Sequence, residues 1–492
     1  MSKANWIFAG LCCVALVALG GCEPNPPGWT SYHHYIAGVD WEKRGRLASA
    51  EHSYYMALDI AEKHSLGPEW VVRASYSLGR VKRLVCKPRE AEVILRRALE
   101  VSEKAGSPDA YDGTSKSRKA SPDADERTSR VLFELSHLYY DQGRYGEAVP
   151  LMAWGFAIAE KLGLESGDSR GLANTLHRYA DALRKVNRLN EAAPLYARLK
   201  SLSPDFHLDA GWNVTAIPVG RGPAGVAVGA GAVWVSLRLD NALLKIDPKT
   251  NAIMVPPIAV GKKPAGVAIS EDGVWIAHTG DGTVARIDVK TNRVVAMISV
   301  GGEPDLVAVA PRAVWVTNAA SALVSRIDPQ TNKVVATIHV GRPTGLAVVG
   351  DAIWVANYEE ETVLRIDSST NQLLGQPIKA RKIWSMAVGE GAVWAAKSDN
   401  QVIRMDPRTG EIVASISVGR RPSFVAVGAG AVWVTNHGDG TVSRIDPQTS
   451  LIVAKPIPVG LSPVWLAVGE GAVWVSNRCS ETLSRIDLNG SW

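Results

Sequence analysis

From residue 212 to residue 488 the chain repeats one pattern of apolar and polar positions about every forty residues. Each unit holds four short runs of β-branched and small apolar residues, separated by Gly, Pro, Asn and Asp. Four short strands per repeated unit are typical of a β-propeller blade. One tryptophan marks the same place in every unit: Trp234, Trp275, Trp315, Trp354, Trp394, Trp433 and Trp474. The pattern therefore predicts an all-β propeller of seven blades.

The two ends of this region are complementary. The seventh unit stops after Asp487 without its fourth apolar run, and a matching run, Val214–Gly220, precedes the first tryptophan. An N-terminal strand would complete the last blade and tie it to the first. Closure of this kind leaves no open strand edge inside the ring.

Every blade also carries a cation two residues before an Asp that recurs in the repeat. Because strand side chains alternate between two faces, the cation and the Asp share one face. We expect these cations to form a structural ladder of charges rather than a binding site. They are Lys245, Arg286, Arg326, Arg365, Arg404, Arg444 and Arg485.

Residues 35–205 show a helical pattern, and this region repeats as well. The segment Ala50–Lys63 aligns with Ala91–Lys104 at an offset of 41 residues, and further copies begin at Ala148 and Glu191. Small residues recur where paired helices would cross. The pattern predicts a solenoid of four helix pairs, stabilised by contacts between neighbouring units.

The helical repeats resemble tetratricopeptide repeats, most clearly in the fragment Leu138–Ala148. That resemblance implies a groove for a protein or peptide segment. Between the second and third units, residues 106–127 are rich in Ser, Asp, Lys and Pro, which predicts a flexible loop.

The N-terminus has the features of a lipoprotein signal peptide over residues 1–21. Lys3 precedes an apolar run that is too short to span a membrane. Leu19–Cys22 resembles the bacterial lipobox, which implies export, acylation of Cys22 and a tether over residues 22–34. Glu23 in place of Asp favours the outer membrane, if the cell has one. The alternative is a plain export signal in which Cys22 is incidental.

Composition and motifs exclude several classes of function. With 54 Lys and Arg against 49 Asp and Glu, the net charge is only +5, which does not indicate a nucleic-acid partner. No metal-ligand spacing, Ser-His-Asp set or phosphate loop stands out, so we expect no cofactor or metal and can name no catalytic residue. His278 and His437 lie in Gly-Asp-Gly sequences that predict hairpin turns before they predict sites.

The candidate site lies where the repeats differ. The loop before each innermost strand opens on one mouth of the central channel, and in five blades it carries cations. Within these loops only Glu303 and Asp305 oppose them, so the mouth should attract anions. The alternative is a solvated rim that keeps the protein soluble. The cations are Arg221, Lys262, Lys263, Arg342, Arg381, Lys382, Arg420 and Arg421.

Large aromatic side chains form the second difference. Blades five, six and seven carry Trp384, Phe424 and Trp465 at or beside a position that is glycine in blades one, two and four. Beside the cations, they could stack a planar or apolar group of a ligand. The alternative is that they fill the channel.

The propeller resembles two known families. Trp315–Asn318 and Trp433–Asn436 are near matches to the Tyr-Val-Thr-Asn repeat, and the Val-Trp and Arg-Ile pattern is similar to that of virginiamycin B lyase propellers. Those lyases open a cyclic lactone antibiotic with a His general base and magnesium, but their catalytic His and Glu have no clear counterparts here. Since propellers host many activities, the resemblance implies a fold and not a reaction.

We therefore expect a lipid-anchored envelope protein that acts as a binding or scaffold module. Its helical groove would take a protein segment, and its propeller mouth an anionic or aromatic ligand or partner. The alternative is a carbon-oxygen lyase that acts on a cyclic lactone with a divalent metal.

The anchor is tested by Cys22→Ser. We expect the variant to leave the membrane fraction, because a diacylglyceryl group and an amide-linked chain together provide the two lipid signals that stable anchoring needs. Cell fractionation and immunoblotting measure the change. Unchanged membrane retention, with the signal sequence intact, would count against the lipobox.

Overall fold

The computed structural model describes residues 26–106, 122–162, 169–202, 212–271 and 273–488. The chain divides into two compact units, one helical and one all-β. Cys22 and the expected signal peptide lie outside the described residues, as do residues 107–121 of the expected loop.

The described part of the helical unit contains eight helices. The first begins at Pro27, before the expected boundary at residue 35, and the fixed φ of proline suits the first turn of a helix. None of the described helices is both long and apolar enough to cross a membrane. The helices are α1 (Pro27–Lys43), α2 (Leu47–Lys63), α3 (Pro68–Leu84), α4 (Pro88–Gly106), α5 (Pro122–Asp141), α6 (Tyr145–Lys161), α7 (Ser169–Lys185) and α8 (Leu189–Leu202).

Small residues let consecutive helices approach closely. A Cβ atom on Gly38 in α1 would lie 2.6 Å from the Tyr54 ring in α2, and one on Gly79 in α3 would lie 2.6 Å from Leu95 in α4. Both contacts recur at the 41-residue offset of the sequence. The fourth residue in the second helix of each pair is an alanine that is at most 2 % exposed: Ala50, Ala91, Ala148 and Ala192.

The second unit is a propeller of seven antiparallel sheets, which confirms the expected fold. Blade one has β2 (Pro223–Gly229), β3 (Ala232–Leu237), β4 (Ala242–Ile246) and β5 (Ile258–Ala259). Blade two has β6 (Pro264–Ile269), β7 (Val274–His278), β8 (Thr283–Ile287) and β9 (Val294–Ser299). Blade three has β10 (Pro304–Ala310), β11 (Ala313–Asn318), β12 (Leu323–Asp328) and β13 (Lys333–His339). Blade four has β14 (Pro343–Val349), β15 (Ala352–Asn357), β16 (Thr362–Asp367) and β17 (Ile378–Lys379).

The remaining blades follow the same order from the innermost to the outermost strand. Blade five has β18 (Ile383–Gly389), β19 (Ala392–Lys397), β20 (Gln401–Met405) and β21 (Ile412–Ser417). Blade six has β22 (Pro422–Gly428), β23 (Ala431–Asn436), β24 (Thr441–Asp446), β25 (Leu451–Ile452) and β26 (Ile457–Pro458). Blade seven has β27 (Pro463–Gly469), β28 (Ala472–Asn477), β29 (Thr482–Asp487) and, as its outermost strand, β1 (Val214–Pro218).

The strand that closes the ring is the one expected from the sequence. β1 runs antiparallel to β29, with Val214 opposite Ile486 and Pro218 opposite Thr482. Ile217 is buried beside Leu483 in a core shared with blade one. The innermost strands contact one another in order around the axis, and β27 contacts β2.

In each blade, the repeated cation lies over the ring of the repeated tryptophan. Each tryptophan is at most 1 % exposed, and the cation of its blade lies opposite it on the next strand, 5.0–5.9 Å from the ring centroid. Several of these cations then bond to a turn of the following blade. Arg286 Nη1 donates to the Pro329 carbonyl at 2.6 Å, and Arg485 Nη1 of blade seven donates to the Pro248 carbonyl of blade one at 2.7 Å.

The cations of the expected ladder therefore do not pair mainly with the aspartates of the repeat. The aspartates of the repeat mostly serve their own turns: Asp328 Oδ1 accepts from the backbone N–H of Gln330 at 2.9 Å. Arg485 and Asp487 do form an ion pair at 2.7 Å. The cations are structural, as expected, but they join blades through cation–π contacts and hydrogen bonds.

Ring closure is tested by replacing Val214–Pro218 with a Gly-Ser linker of equal length. We expect aggregation and a lower free energy of unfolding, because β29 becomes an open edge and losing the Ile217 side chain alone should cost about 2–5 kcal/mol. Denaturant titration and light scattering measure both effects. The control is the double change Leu451→Ser and Ile452→Ser on β25, where both side chains are exposed. Equal stability of the linker variant and wild type would show that β1 does not hold the ring.

Candidate functional site

One mouth of the channel is built from two sets of loops. In every blade, the residue after the second strand donates its backbone N–H to a carbonyl in the loop before the innermost strand. His437 donates to Arg421 at 3.1 Å, and Arg478 donates to Ser462 at 3.1 Å. The other five donors are Arg238, Thr279, Ala319, Tyr358 and Ser398. Side chains from both sets of loops therefore face the same opening.

Several of the expected cations form closed ion pairs on the rim. Arg221 Nε lies 2.5 Å from Asp240 Oδ1, and Arg420 Nε lies 2.5 Å from Asp439 Oδ1. Two looser pairs join Arg381 to Glu361 at 3.1 Å and Arg342 to Glu359 at 3.6 Å.

Glu303 and Asp305 are the acids within these loops, but carboxylates from outside the loops also oppose the cations. The pairing carboxylates come from the hairpins between the second and third strands, which the comparison of the other loops left out. Exposed pairs of this kind contribute little to stability and reduce the positive charge of the rim.

A second group of charges at this mouth, here called the inner group, adjoins the second and innermost strands, with Asp305 and Arg238 half-buried and Arg478 exposed. Arg238 follows β3, Arg478 follows β28, and Asp305 is near the start of β10. Burial raises the pKa of the Asp305 carboxyl, Arg238 and Arg478 lower it, and Glu303 raises it. Burial also lowers the pKa of the Arg478 guanidinium, and Arg238 adds to that effect.

These inner charges influence one another without touching. Among the described residues, neither Arg238 nor Arg478 has a nitrogen within 4.0 Å of the Asp305 carboxylate, and the Asp305 side chain makes no hydrogen bond. The group therefore holds opposite charges apart across the opening, unlike the closed pairs of the rim.

His437 belongs to the inner group and His278 does not. Burial, Arg421 and Arg478 lower the pKa of His437 to about 4, so its ring is neutral at pH 7 and faces the mouth. His278 is fully buried, with Nδ1 3.0 Å from Thr283 Oγ1 and Nε2 accepting the Gly261 N–H at 3.2 Å. His278 is therefore a structural residue of its hairpin.

The expected aromatic residues separate into two places. Phe424 and Trp465 stack on each other with ring centroids 4.6 Å apart, and both pack against the core of blades three and four across the axis. They also line a channel cavity of about 170 Å³. Trp384 is the second residue of its strand, whereas Phe424 and Trp465 are the third residues of theirs. The Trp384 side chain is 42 % exposed and packs on Tyr358 with ring centroids 4.8 Å apart. Arg342 lies 5.8 Å from the Tyr358 ring.

The glycines of blades one and two have a steric cause. A Cβ atom on Gly225 would overlap the Ala265 carbonyl oxygen, and one on Gly266 would overlap the Asp305 carbonyl oxygen. Neighbouring innermost strands approach too closely at these two positions for any side chain. Phe424 and Trp465, in blades six and seven, pack instead against blades three and four across the axis.

Lys262, Lys263 and Lys382 also lie on the exposed rim. The backbone N–H of Lys263 donates to Asn241 Oδ1 at 2.9 Å, which shapes the loop without using the side chain.

Sequence comparison missed Arg238, Tyr358 and Arg478 as mouth residues. The available signal was the residue directly after the second strand, which is Arg, Thr, Ala, Tyr, Ser, His and Arg in successive blades. Among the described residues, no group of three or more His, Cys, Asp or Glu side chains is arranged to hold a metal ion.

No family model and no curated protein matches the chain. Solved structures match its propeller. Virginiamycin B lyase from Staphylococcus aureus aligns at 18% identity and a TM-score of 0.50, over 56% of this chain and 99% of that one. A streptogramin B lyase aligns at 18% identity and 0.51, over 57% and 100%. Hydrazine synthase of Kuenenia stuttgartiensis aligns at 14% and 0.50, over 56% and 97%. At these identities the likeness confirms the expected fold alone.

The role of the aromatic pair is tested by Trp465→Ala. We expect the free energy of unfolding to fall by about 3–5 kcal/mol, because the change leaves a cavity on the axis. The control Trp384→Ala should cost only about 1–2 kcal/mol, since its side chain is half exposed and packs on a single ring. Denaturant unfolding measures both. Equal losses would show that Phe424 and Trp465 do not fill the channel as the geometry indicates.

Proposed function

We propose that this protein is a binding module whose propeller mouth recognises an anionic group of a ligand or partner. The observation that carries the proposal is the inner group of charges. Arg238, Arg478, Arg421 and neutral His437 lie on mouth loops of the adjacent blades one, seven and six, and Asp305 lies at the mouth in blade three. Guanidinium groups suit this role because their fixed donors match carboxylate and phosphate oxygens.

The separation of these charges favours binding over a purely structural role. The rim pairs close to 2.5 Å, whereas the Asp305 carboxylate stays more than 4.0 Å from the guanidinium nitrogens of Arg238 and Arg478. Asp305 and Arg238 are half-buried charges that form no ion pair among the described residues. Such charges are costly, and in a cleft they are candidates for function. A ligand anion would supply the missing contacts to the arginines.

An exposed aromatic surface lies at the same mouth. Trp384 and Tyr358 pack together, and the Arg342 guanidinium lies beside them. A planar group could stack there while its anionic part reaches the inner arginines. The preferred ligand would therefore join an anion to an aromatic or apolar portion.

The remaining parts of the proposal rest on the sequence. Acylated Cys22 would hold the protein on the membrane after export, with the outer membrane favoured where one exists. The helical repeats, similar to tetratricopeptide repeats, would bind a protein or peptide segment along their groove. The protein would then link a protein partner to whatever the propeller mouth captures.

One observation favours a second candidate, a lyase of the kind found in the structural relatives. His437 is neutral at pH 7 and faces the mouth, which is the state that a general base requires. Mass spectrometry of a streptogramin B lactone incubated with the protein would detect ring opening. Opening that His437→Ala abolishes would support the lyase, and unchanged lactone would exclude that activity for this substrate.

Anion recognition is tested with phenyl phosphate as the probe, by isothermal titration calorimetry. We expect Arg478→Gln to weaken binding by about tenfold, because a hydrogen bond to a charged group contributes about 1.5–3 kcal/mol. Binding should also weaken as salt is raised. The matched control Arg420→Gln removes a rim arginine that is already paired with Asp439, and should bind within about twofold of wild type. Equal binding by the Arg478→Gln variant, or none by wild type, would contradict the proposal.

A further inference from the structure

We propose that the ligand of the mouth is a zwitterion, such as a free α-amino acid with an apolar side chain, and that Asp305 binds its ammonium group. The inference rests on the proposed function for the anionic half of the ligand. It adds a second requirement, a positively charged donor, that anion binding alone does not include.

The position of Asp305 is the first argument. It follows the proline that begins β10, and the residues at the same place in the other six blades carry no charge. They are Ala224, Ala265, Thr344, Trp384, Ser423 and Val464. The repeat itself therefore does not require a carboxylate at this place, and Asp305 is a specific departure from it.

The distribution of charge is the second argument. Asp305 and nearby Glu303 make the blade-three side of the mouth negative, while Arg238 and Arg478 make the side of blades one and seven positive. Arg421 adds a further positive group beside His437. An opening with separated charges of both signs complements a ligand that also carries both signs.

The unmet hydrogen bonding of Asp305 is the third argument. In this same mouth, the carboxylates of Asp240 and Asp439 accept contacts from rim arginines at 2.5 Å. The half-buried Asp305 side chain accepts no hydrogen bond from any described residue. Burial of such a carboxylate is costly unless a donor reaches it. The ammonium of a ligand held by the arginines would be that donor.

The test compares two probes that differ only in the amine, L-phenylalanine and 3-phenylpropanoate, by isothermal titration calorimetry. We expect wild type to bind phenylalanine about tenfold more tightly, because only phenylalanine offers Asp305 a charged donor. Asp305→Asn should weaken phenylalanine binding by about the same factor and leave 3-phenylpropanoate binding equal or tighter.

The matched control is Asp240→Asn, which changes the net charge by the same amount on the rim and should keep the preference for phenylalanine. Thermal unfolding checks that each variant is folded. The comparison of the two probes in wild type tests the inference without any variant. Equal affinities of wild type for the two probes, or a preference that survives in Asp305→Asn, would overturn the inference. Binding of phenyl phosphate with no amine preference would leave the proposed function standing, whereas failure of all three probes would contradict both.

Discussion

The propeller depends on a contact that joins each blade to the next. A buried tryptophan packs under the cation of its own blade, and most of these cations also hydrogen-bond to a turn of the following blade. A cation–π contact contributes about 0.5–2 kcal/mol, and a hydrogen bond to a charged group about 1.5–3 kcal/mol. Because Arg485 reaches from blade seven to blade one, the series continues across the junction that β1 closes. The ring is therefore fixed by residues that lie away from the mouth.

This separation leaves the mouth free to vary. The loops that form it are held by backbone hydrogen bonds, such as the His437 N–H to the Arg421 carbonyl, which any residue except proline could make. The side chains at those positions can change without loss of the ring. In this chain, two such positions are Arg238 and Arg478, and the start of β10 supplies Asp305 between uncharged counterparts. The residues of the repeat thus fix the ring, and the side chains that depart from the repeat form the candidate site.

The sequence predicts the architecture of the ring but not the ion pairs of its rim. The number of blades and the closing strand follow from the spacing of the tryptophans and the displaced run at Val214, since both are properties of one linear pattern. The partners of the rim cations do not follow from it. Arg221 and Asp240 are 19 residues apart on different loops, and only the hydrogen-bonded mouth brings them together. Four of the eight cations on a rim that looked basic in the loops alone are therefore in ion pairs.

The aromatic residues show a second limit. Phe424 and Trp465 occupy the same register in adjacent blades and stack, whereas Trp384 is shifted by one residue and points to a different place. A shift of one position reverses the face of a strand, so nearness in the alignment did not ensure contact. Likewise, the sequence predicts that the cations of the repeat form a charge ladder with the aspartates on their own strand. They lie instead over tryptophans on the neighbouring strand, a pairing that requires the strand register.

The aromatic pair lies at the same end of the innermost strands as Asp305. Phe424 and Trp465 are the third residues of β22 and β27 and pack against blades three and four, where Asp305 is the second residue of β10. Burial raises the pKa of Asp305 and lowers those of Arg478 and His437, because a charged group that is buried loses part of its hydration. Lower hydration strengthens the attraction between these groups and a ligand of complementary charge. It also increases the energetic penalty for a ligand that leaves one of these charges without a partner. In the proposed function, this loss of hydration would make the charges of the mouth selective for a ligand of complementary charge.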